Sequence, residues 1–442
     1  MTEPLATFAA VLLLAALCIG SRFVLRSWVA PPAFCAVYWT AFVVINGCFP
    51  EYRMLPLGLL YLGAVLLAFA FGHYFTLKNI LIRRSQPWPE QRPMRKVSPA
   101  LFRTVLALQI TAGLAYISVL RKMGVEQVEN IGWEIQLLLI SHFLGPIFIG
   151  LLLGSGMLRR LDRFLSALVL APALAISILY TGRTAFIGPA VLFATAFLAG
   201  TVALRPRQPA LFSMRRLFLG AAAFVFVIFY GTGIYVLRIA RGTGGSIDTL
   251  QGADLVQAFD TSRWQESYNS IRTSIFGQPS AFTFMLRDHY LSDDFVPYHG
   301  RFMFAGPFVL VGYTRPPHAS YIDPDGVDTN VYTIFAPPIE DFGVAGSLLW
   351  WGFLGGVSAI AWRMAQTGRL AGTAILAIML INFQIGSCFL FRYNSVIGAY
   401  VLTLIGCIWL DRERIRRAGD PIPIAVATSA DATRSGTKQI SC

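Results

Sequence analysis

The chain has 442 residues, of which 55% are hydrophobic and only 13% charged, and its mean hydropathy is +0.60. That balance excludes a soluble globule of ordinary composition and describes a polytopic membrane protein. The net charge of +13 is read as a topology signal and a contact with anionic lipid, not as a nucleic-acid interface.

Crossing a hydrocarbon core of roughly 30 Å takes about 17 to 25 apolar residues. Eleven such runs are expected, near residues 4–20, 28–49, 55–77, 101–120, 134–157, 164–181, 184–204, 216–237, 338–362, 370–390 and 393–410. The seventh contains Pro189 and the ninth is rich in glycine, so their bounds are the least sharp. The fold class that follows is all-α and polytopic. Residues 1–237 hold the first eight transmembrane helices, 238–337 one large outer-face loop with short helices, 338–411 the last three helices, and 412–442 a cytoplasmic tail. No repeat of fixed period is visible, nor a pair of interrupted helices of the kind transporters with inverted repeats carry.

Orientation follows from the cations, because Lys and Arg are retained on the cytoplasmic side. Alternate connections carry Arg22 and Arg26, then Lys78 to Lys96, then Arg159, Arg160 and Arg163, then Arg205 to Arg216, then Arg363 and Arg369, and finally Arg412 to Arg417. The opposite short connections hold only Arg53, Arg121, Lys122, Arg183 and Arg392. Eleven spans with a cytoplasmic C-terminus put the N-terminus and the long loop outside. Glu3 and the lack of a basic stretch argue against a cleaved signal peptide. The six cysteines form neither a disulfide framework nor a metal-ligand spacing.

Between Leu237 and Pro338 lie three of the five histidines, ten carboxylates and seven arginines. Leu255, Phe259, Tyr268, Ile271 and Ile275 suit an amphipathic helix, and 278–291 a second short one, broken by Asp293, Asp294 and Pro297. Such a loop packs as a cap on the bundle. Asp323-Pro324-Asp325-Gly326 reads as turn chemistry rather than a metal site, since its glycine is misplaced for a calcium loop.

Arg183 sits between two apolar runs on the side where positive charge is disfavoured, and Arg392 repeats the situation between the last two spans. An arginine there is costly without a partner or a task. Two readings stand: a side chain snorkelling to headgroup phosphates, or a fixed cation facing an anionic lipid substrate. On the second, the two guanidinium forks match the oxygens of a phosphate or diphosphate. Arg301, in Tyr298-His299-Gly300-Arg301-Phe302, is the most site-like arginine of the loop. Glu340 and Asp341 open the ninth span, where carboxylates are favoured by the helix dipole. They serve either as caps or as a general base, and adjacent acids on one helix can place at most one in a site.

The order of these pieces resembles the Wzy-type oligosaccharide repeat unit polymerases of O-antigen and exopolysaccharide assembly. The likeness rests on Thr181-Gly182-Arg183-Thr184-Ala185, on Gly300-Arg301-Phe302, and most on Asn330-Val331-Tyr332-Thr333 through Asp341-Phe342-Gly343 to Gly346. It implies a membrane glycosyltransferase of the GT-C type in the bacterial inner membrane, acting on undecaprenyl-diphosphate-linked glycans as donor and acceptor. An acceptor hydroxyl would attack the donor's anomeric carbon and lipid diphosphate would leave. The implied partners are those lipids and a chain-length regulator, with no nucleic acid, cofactor or metal. Arginines can stabilise charge developing on the leaving group, and a base must reach the hydroxyl proton. The candidates are Arg183, Arg301 and Arg392 for diphosphate and Asp341 or His318 as base, followed by Arg272, His299, Asn330, Thr333 and Glu340. The alternatives are an O-antigen ligase of the same architecture and a transporter or flippase of lipid-linked glycan.

Overall fold

The computed structural model describes residues 3–25, 30–49, 52, 54–81, 96–123, 133–180, 183–204, 277–300, 303, 321–322, 328–329, 333–385 and 394–418. The helices in chain order are α1 (Glu3–Leu25), α2 (Pro31–Asn46), α3 (Pro56–Thr76), α4 (Pro99–Met123), α5 (Trp133–Gly154), α6 (Arg160–Leu165), α7 (Ala171–Tyr180), α8 (Arg183–Leu204), α9 (Gln278–Met285), α10 (Ala336–Gln366), α11 (Leu370–Ile385) and α12 (Asn394–Ala418). A two-residue antiparallel ladder, Tyr321 with Thr329 and Ile322 with Asp328, brackets the Asp-Pro-Asp-Gly turn sequence.

The protein is an α-helical polytopic membrane protein. Six helices among the described residues are long and apolar enough to cross a bilayer: Thr7–Val24, Pro56–Asn79, Pro99–Val119, Leu137–Gly154, Arg160–Leu179 and Ala336–Gln366. Three shorter apolar helices, Pro31–Asn46, Phe186–Thr201 and Leu370–Phe383, accompany them. Large apolar side chains face outward along these helices, among them Phe8, Phe23, Phe71, Leu349 and Phe353. A surface of that kind suits lipid and not water. The expected eighth span, the amphipathic helix around Leu255 to Ile275 and the tail from 419 lie outside the described residues.

The sixth expected span is not one regular helix. Between α6 and α7 the chain tightens into a 3₁₀ segment, Ser166–Leu170. Pro172 follows at once, and its ring would crowd the carbonyl four residues earlier in an α-helix. In α8, by contrast, Pro189 is accommodated without a break.

Two apolar clusters fill the bundle. One joins α4, α5, α8, α11 and α12 around Ile147, Leu151, Leu192 and Leu380. The other joins α1, α2, α3, α9 and α10 around Trp39, Leu62, Phe69 and Trp351. Phe383 links them, its ring lying 5.0 Å from Phe69 and 5.4 Å from Trp351. The tightest crossing is that of α3 on α10. A Cβ on Gly72 would overlap the carbonyl of Gly352, and one on Gly355 would overlap that of Phe69. Only glycine lets two backbones meet this way, the device by which membrane helices associate where water offers no hydrophobic drive.

Cross-helix contacts fix the direction of each helix. Tyr61 meets Ser347 near the starts of α3 and α10, and His73 meets Ser358 further along both, so these two run parallel. α5 and α12 are also parallel, with Ile140 beside Gly398 and Phe148 beside Gly406. α5 and α8 are parallel too, with Gly150 against Phe193 and Gly154 against Phe197. α11 is antiparallel to both its sequence neighbours, through Trp351 with Phe383 and Leu370 with Asp411. Hence α3, α5, α8, α10 and α12 all begin at one end of the bundle.

Candidate functional site

That shared end gathers sequence-predicted positions from distant parts of the chain. α8 begins at Arg183, α10 carries Glu340 and Asp341 in its first turns, and α12 begins at Asn394, two residues after Arg392. α9, the described helix of the long loop, docks at the same end. Leu55, which precedes α3, donates its N–H to Thr283 Oγ1 at 3.0 Å. The cations collect at the other end, where Lys78, Arg103, Arg159, Arg160, Arg163, Arg363, Arg369, Arg412, Arg414 and Arg416 lie at helix termini and turns.

The short helix expected at 278–291 is present as α9 and a following π-turn, Leu286–Tyr290. Its residues 278–286 are all buried, because this helix packs down on α3 and α10 instead of floating on the surface. Phe282 contacts Tyr61 and Phe335, each at 5.9 Å between ring centroids. Arg287 and His289 face outward, and Arg287 forms a fork with its neighbour Asp288.

At the heart of this end α10 is broken. Gly343 has φ 69° and ψ 175°, which divides the element into a short helix, 336–342, and a long one beyond it. In an unbroken α-helix the carbonyls of Glu340 and Asp341 would accept the N–H groups four residues on. Here they are taken by the loop: Tyr298 N–H donates to Glu340 O at 2.7 Å and His299 N–H to Asp341 O at 2.9 Å. His299 (φ 53°) and Gly300 (φ 91°) then turn the chain, and Met303 N–H donates to Asp341 Oδ2 at 2.6 Å. A carboxylate accepting a backbone N–H is a charge-assisted bond, stronger than its neutral counterpart.

Both adjacent acids are buried and bonded at this break. Asp341 is 0% and Glu340 5% exposed, and both are engaged: Glu340 Oε1 accepts the hydroxyl of Tyr290 at 2.8 Å. The one-face argument assumes one continuous helix. The break at Gly343 and the loop wrapped around it give each acid its own buried surroundings. The N-cap position of α10 is Phe335, which makes no side-chain cap bond.

His299 contributes its backbone here, while its ring is exposed. Thr333 is fully buried, and its hydroxyl has no hydrogen-bond partner among the described residues. Arg183 is placed by its backbone at the first position of α8, and its side chain lies outside the described residues. Arg272, Arg301, His318, Asn330 and Arg392 also lie outside them. Tyr290 and the backbone bonds of the Tyr298–Gly300 turn were not foreseen from the sequence, although His299 and the stretch around Arg301 were singled out. The signal that could have found them is the glycine two residues after an acid at a helix start, which marks a possible break.

Two of the buried polar contacts among the described spans join neighbouring helices. His73 is fully buried at the α3–α10 crossing, bonded through Nδ1 to Ser358 Oγ at 2.7 Å. Gln109 donates to the carbonyl of His142 at 2.9 Å. These bonds tie neighbouring helices together.

Comparison with family models, with curated proteins and with solved structures gives no match in any of the three.

Proposed function

We propose that this chain polymerises undecaprenyl-diphosphate-linked oligosaccharide repeats into O-antigen or exopolysaccharide at the outer face of a bacterial inner membrane. The observation that carries the reading is the shared end of the bundle. The start of α8 at Arg183, the first turns of α10 with Asp341 and the start of α12 after Arg392 share that end, where the loop helix α9 docks on α3, away from the main body of cations. Cations retained in the cytoplasm make that end the outer one, with the N-terminus outside and the C-terminus cytoplasmic.

Helix direction also supports eleven spans in a GT-C-like arrangement. α8 and α10 run the same way, which fits a return crossing between them. The apolar run at 216–237 is long enough to provide that return.

In this reading Arg183, Arg301 and Arg392 hold the lipid diphosphate and stabilise the charge that develops as it leaves. The acceptor hydroxyl gives its proton to a base, for which the sequence offers Asp341 and His318. A lipid diphosphate leaving group already carries the activation, so the reaction calls for no nucleotide pocket.

The test is reconstitution in liposomes with a fluorescent lipid-linked repeat. Glycosidic bond formation without net translocation is the expected result, and Arg183→Ala and Arg392→Ala should each lower it at least tenfold at equal expression. Translocation without bond formation would replace the reading with a transporter. Transfer to a lipid A core but not to a second repeat would replace it with a ligase.

A further inference from the structure

We infer that Asp341 is a positioning residue: it holds the loop turn between His299 and Met303 against α10, and it does not take the acceptor's proton. This rests on the polymerase reading above for its catalytic consequence, though not for its geometry. Asp341 meets the loop twice, accepting His299 N–H with its main-chain oxygen and Met303 N–H with its carboxylate. The main-chain bond exists because the break at Gly343 takes that oxygen out of the helical ladder. The loop between the two donors is therefore closed through a single residue of α10.

Three features argue against proton transfer by this carboxylate. It is fully buried. One of its oxygens is committed to a 2.6 Å bond with a backbone amide, and a carboxylate oxygen so bound is a poorer proton acceptor. A general base also has to come within about 2.6 to 3.2 Å of the hydroxyl it serves, directly or through one water, and at Oδ2 that place is taken by Met303 N–H. Tyr290 and Glu340 give the same turn a second fastening, with Tyr298 N–H on Glu340 O and the Tyr290 hydroxyl on Glu340 Oε1. Positions 299 and 303 flank Arg301, so the anchor acts on the stretch of loop that bears a proposed diphosphate ligand. Of the two proton acceptors the reading offers, His318 is then the one left.

The experiment compares wild type, Asp341→Asn and Asp341→Ala as full-length protein in liposomes, by amide hydrogen exchange over 298–303 and by turnover of a lipid-linked repeat across pH. Asn keeps an oxygen that can accept Met303 N–H but cannot serve as a base. The expected result is that Asp341→Asn retains slow exchange over 298–303, loses no more than about tenfold in turnover and keeps the wild-type pH profile. The tenfold allowance is the order expected when a charge-assisted bond becomes a neutral one. Asp341→Ala should exchange the Met303 amide fast and lose turnover at least about a hundredfold.

Slow exchange in Asp341→Asn with turnover down by about a hundredfold or more, the scale of a lost general base, overturns the inference. So does Asp341→Ala with the Met303 amide still protected. If wild type forms no glycosidic bond, the polymerase reading fails, and amide exchange in the two variants alone decides the anchor.

Discussion

The hydroxyl of Tyr290 donates to Glu340 Oε1 at 2.8 Å, with both side chains buried and fifty positions between them in the chain. This one bond connects the end of the loop's docked helix to the first turns of α10. A buried carboxylate is tolerated only where donors meet it, so the pair fixes how the loop sits as well as where Glu340 points.

Replacing Tyr290 with Phe should therefore cost about 1 to 3 kcal/mol, because it leaves a buried acceptor short of a donor while barely changing volume. Thermal unfolding in detergent measures it. Tyr290→Phe combined with Glu340→Gln should cost less than the sum of the two single changes, with a coupling of about 0.5 kcal/mol or more. Strictly additive losses would mean that the bond does not hold the loop.

Gly343→Ala should be destabilising by about 1 to 3 kcal/mol for a backbone reason alone. Its φ of 69° with ψ 175° lies in a region essentially confined to glycine. Crowding is not the cause, since the nearest atom to an added Cβ is Pro297 Cγ at 3.7 Å. Gly20→Ala in α1, where an added Cβ meets nothing within 4 Å, is the control and should be neutral or stabilising by up to about 1 kcal/mol. Equal melting temperatures for the two variants would remove the break at Gly343 from the account.

Much of the fold was legible in the chain. The described spans follow from apolar run length, and a short helix from Gln278 was expected ahead of the breakers Asp293, Asp294 and Pro297. What was not legible comes from single backbone angles and from contacts across long separations. Hydropathy averages over a window and reads residues 338–362 as one span, so the break at Gly343 passes unseen. Without that break, Glu340 and Asp341 look like neighbours on one helix with opposed directions, and the loop amides that bury both have no reason to be there. Arg183 and Asp341 were drawn together by type and position alone. Their common end of the bundle emerges only from helix directions, which no local pattern carries.

The α3–α10 crossing should tolerate no side chain at its closest points. Gly355→Val puts carbon onto the carbonyl of Phe69, and Gly72→Leu onto that of Gly352. Neither obstacle is a flexible side-chain end, so the helices have to separate, which also draws His73 from Ser358. Loss of a monodisperse detergent-solubilised species is expected for both. The milder Gly355→Ala should already lower the unfolding temperature by more than Gly20→Ala. A Gly355→Val protein as stable as wild type would show that α3 and α10 do not meet at the backbone.

At the other end of the bundle Asp411 of α12 serves as a cap for a different helix. Its two oxygens accept the N–H groups of Leu370 and Ala371, each at 3.0 Å. They thereby satisfy two of the donors that a helix start leaves unpaired. Arg414 donates to the Gly368 carbonyl at 2.8 Å, and Gly368, with φ 75°, closes α10 through the bonds Gly368 N–H to Ala365 O and Arg369 N–H to Met364 O. A single α12 turn thus fastens the α10–α11 turn from both sides. Asp411→Ala should cost about 1 to 2 kcal/mol by the ordinary worth of a cap, and Asp411→Asn, which keeps one acceptor oxygen, less than that. Because the residue lies at the opposite end of the bundle from Tyr290, its loss should add to that of Tyr290→Phe without coupling. Melting curves of the single and double variants decide it, and a coupling above about 0.5 kcal/mol would mean the two ends of the bundle are not independent.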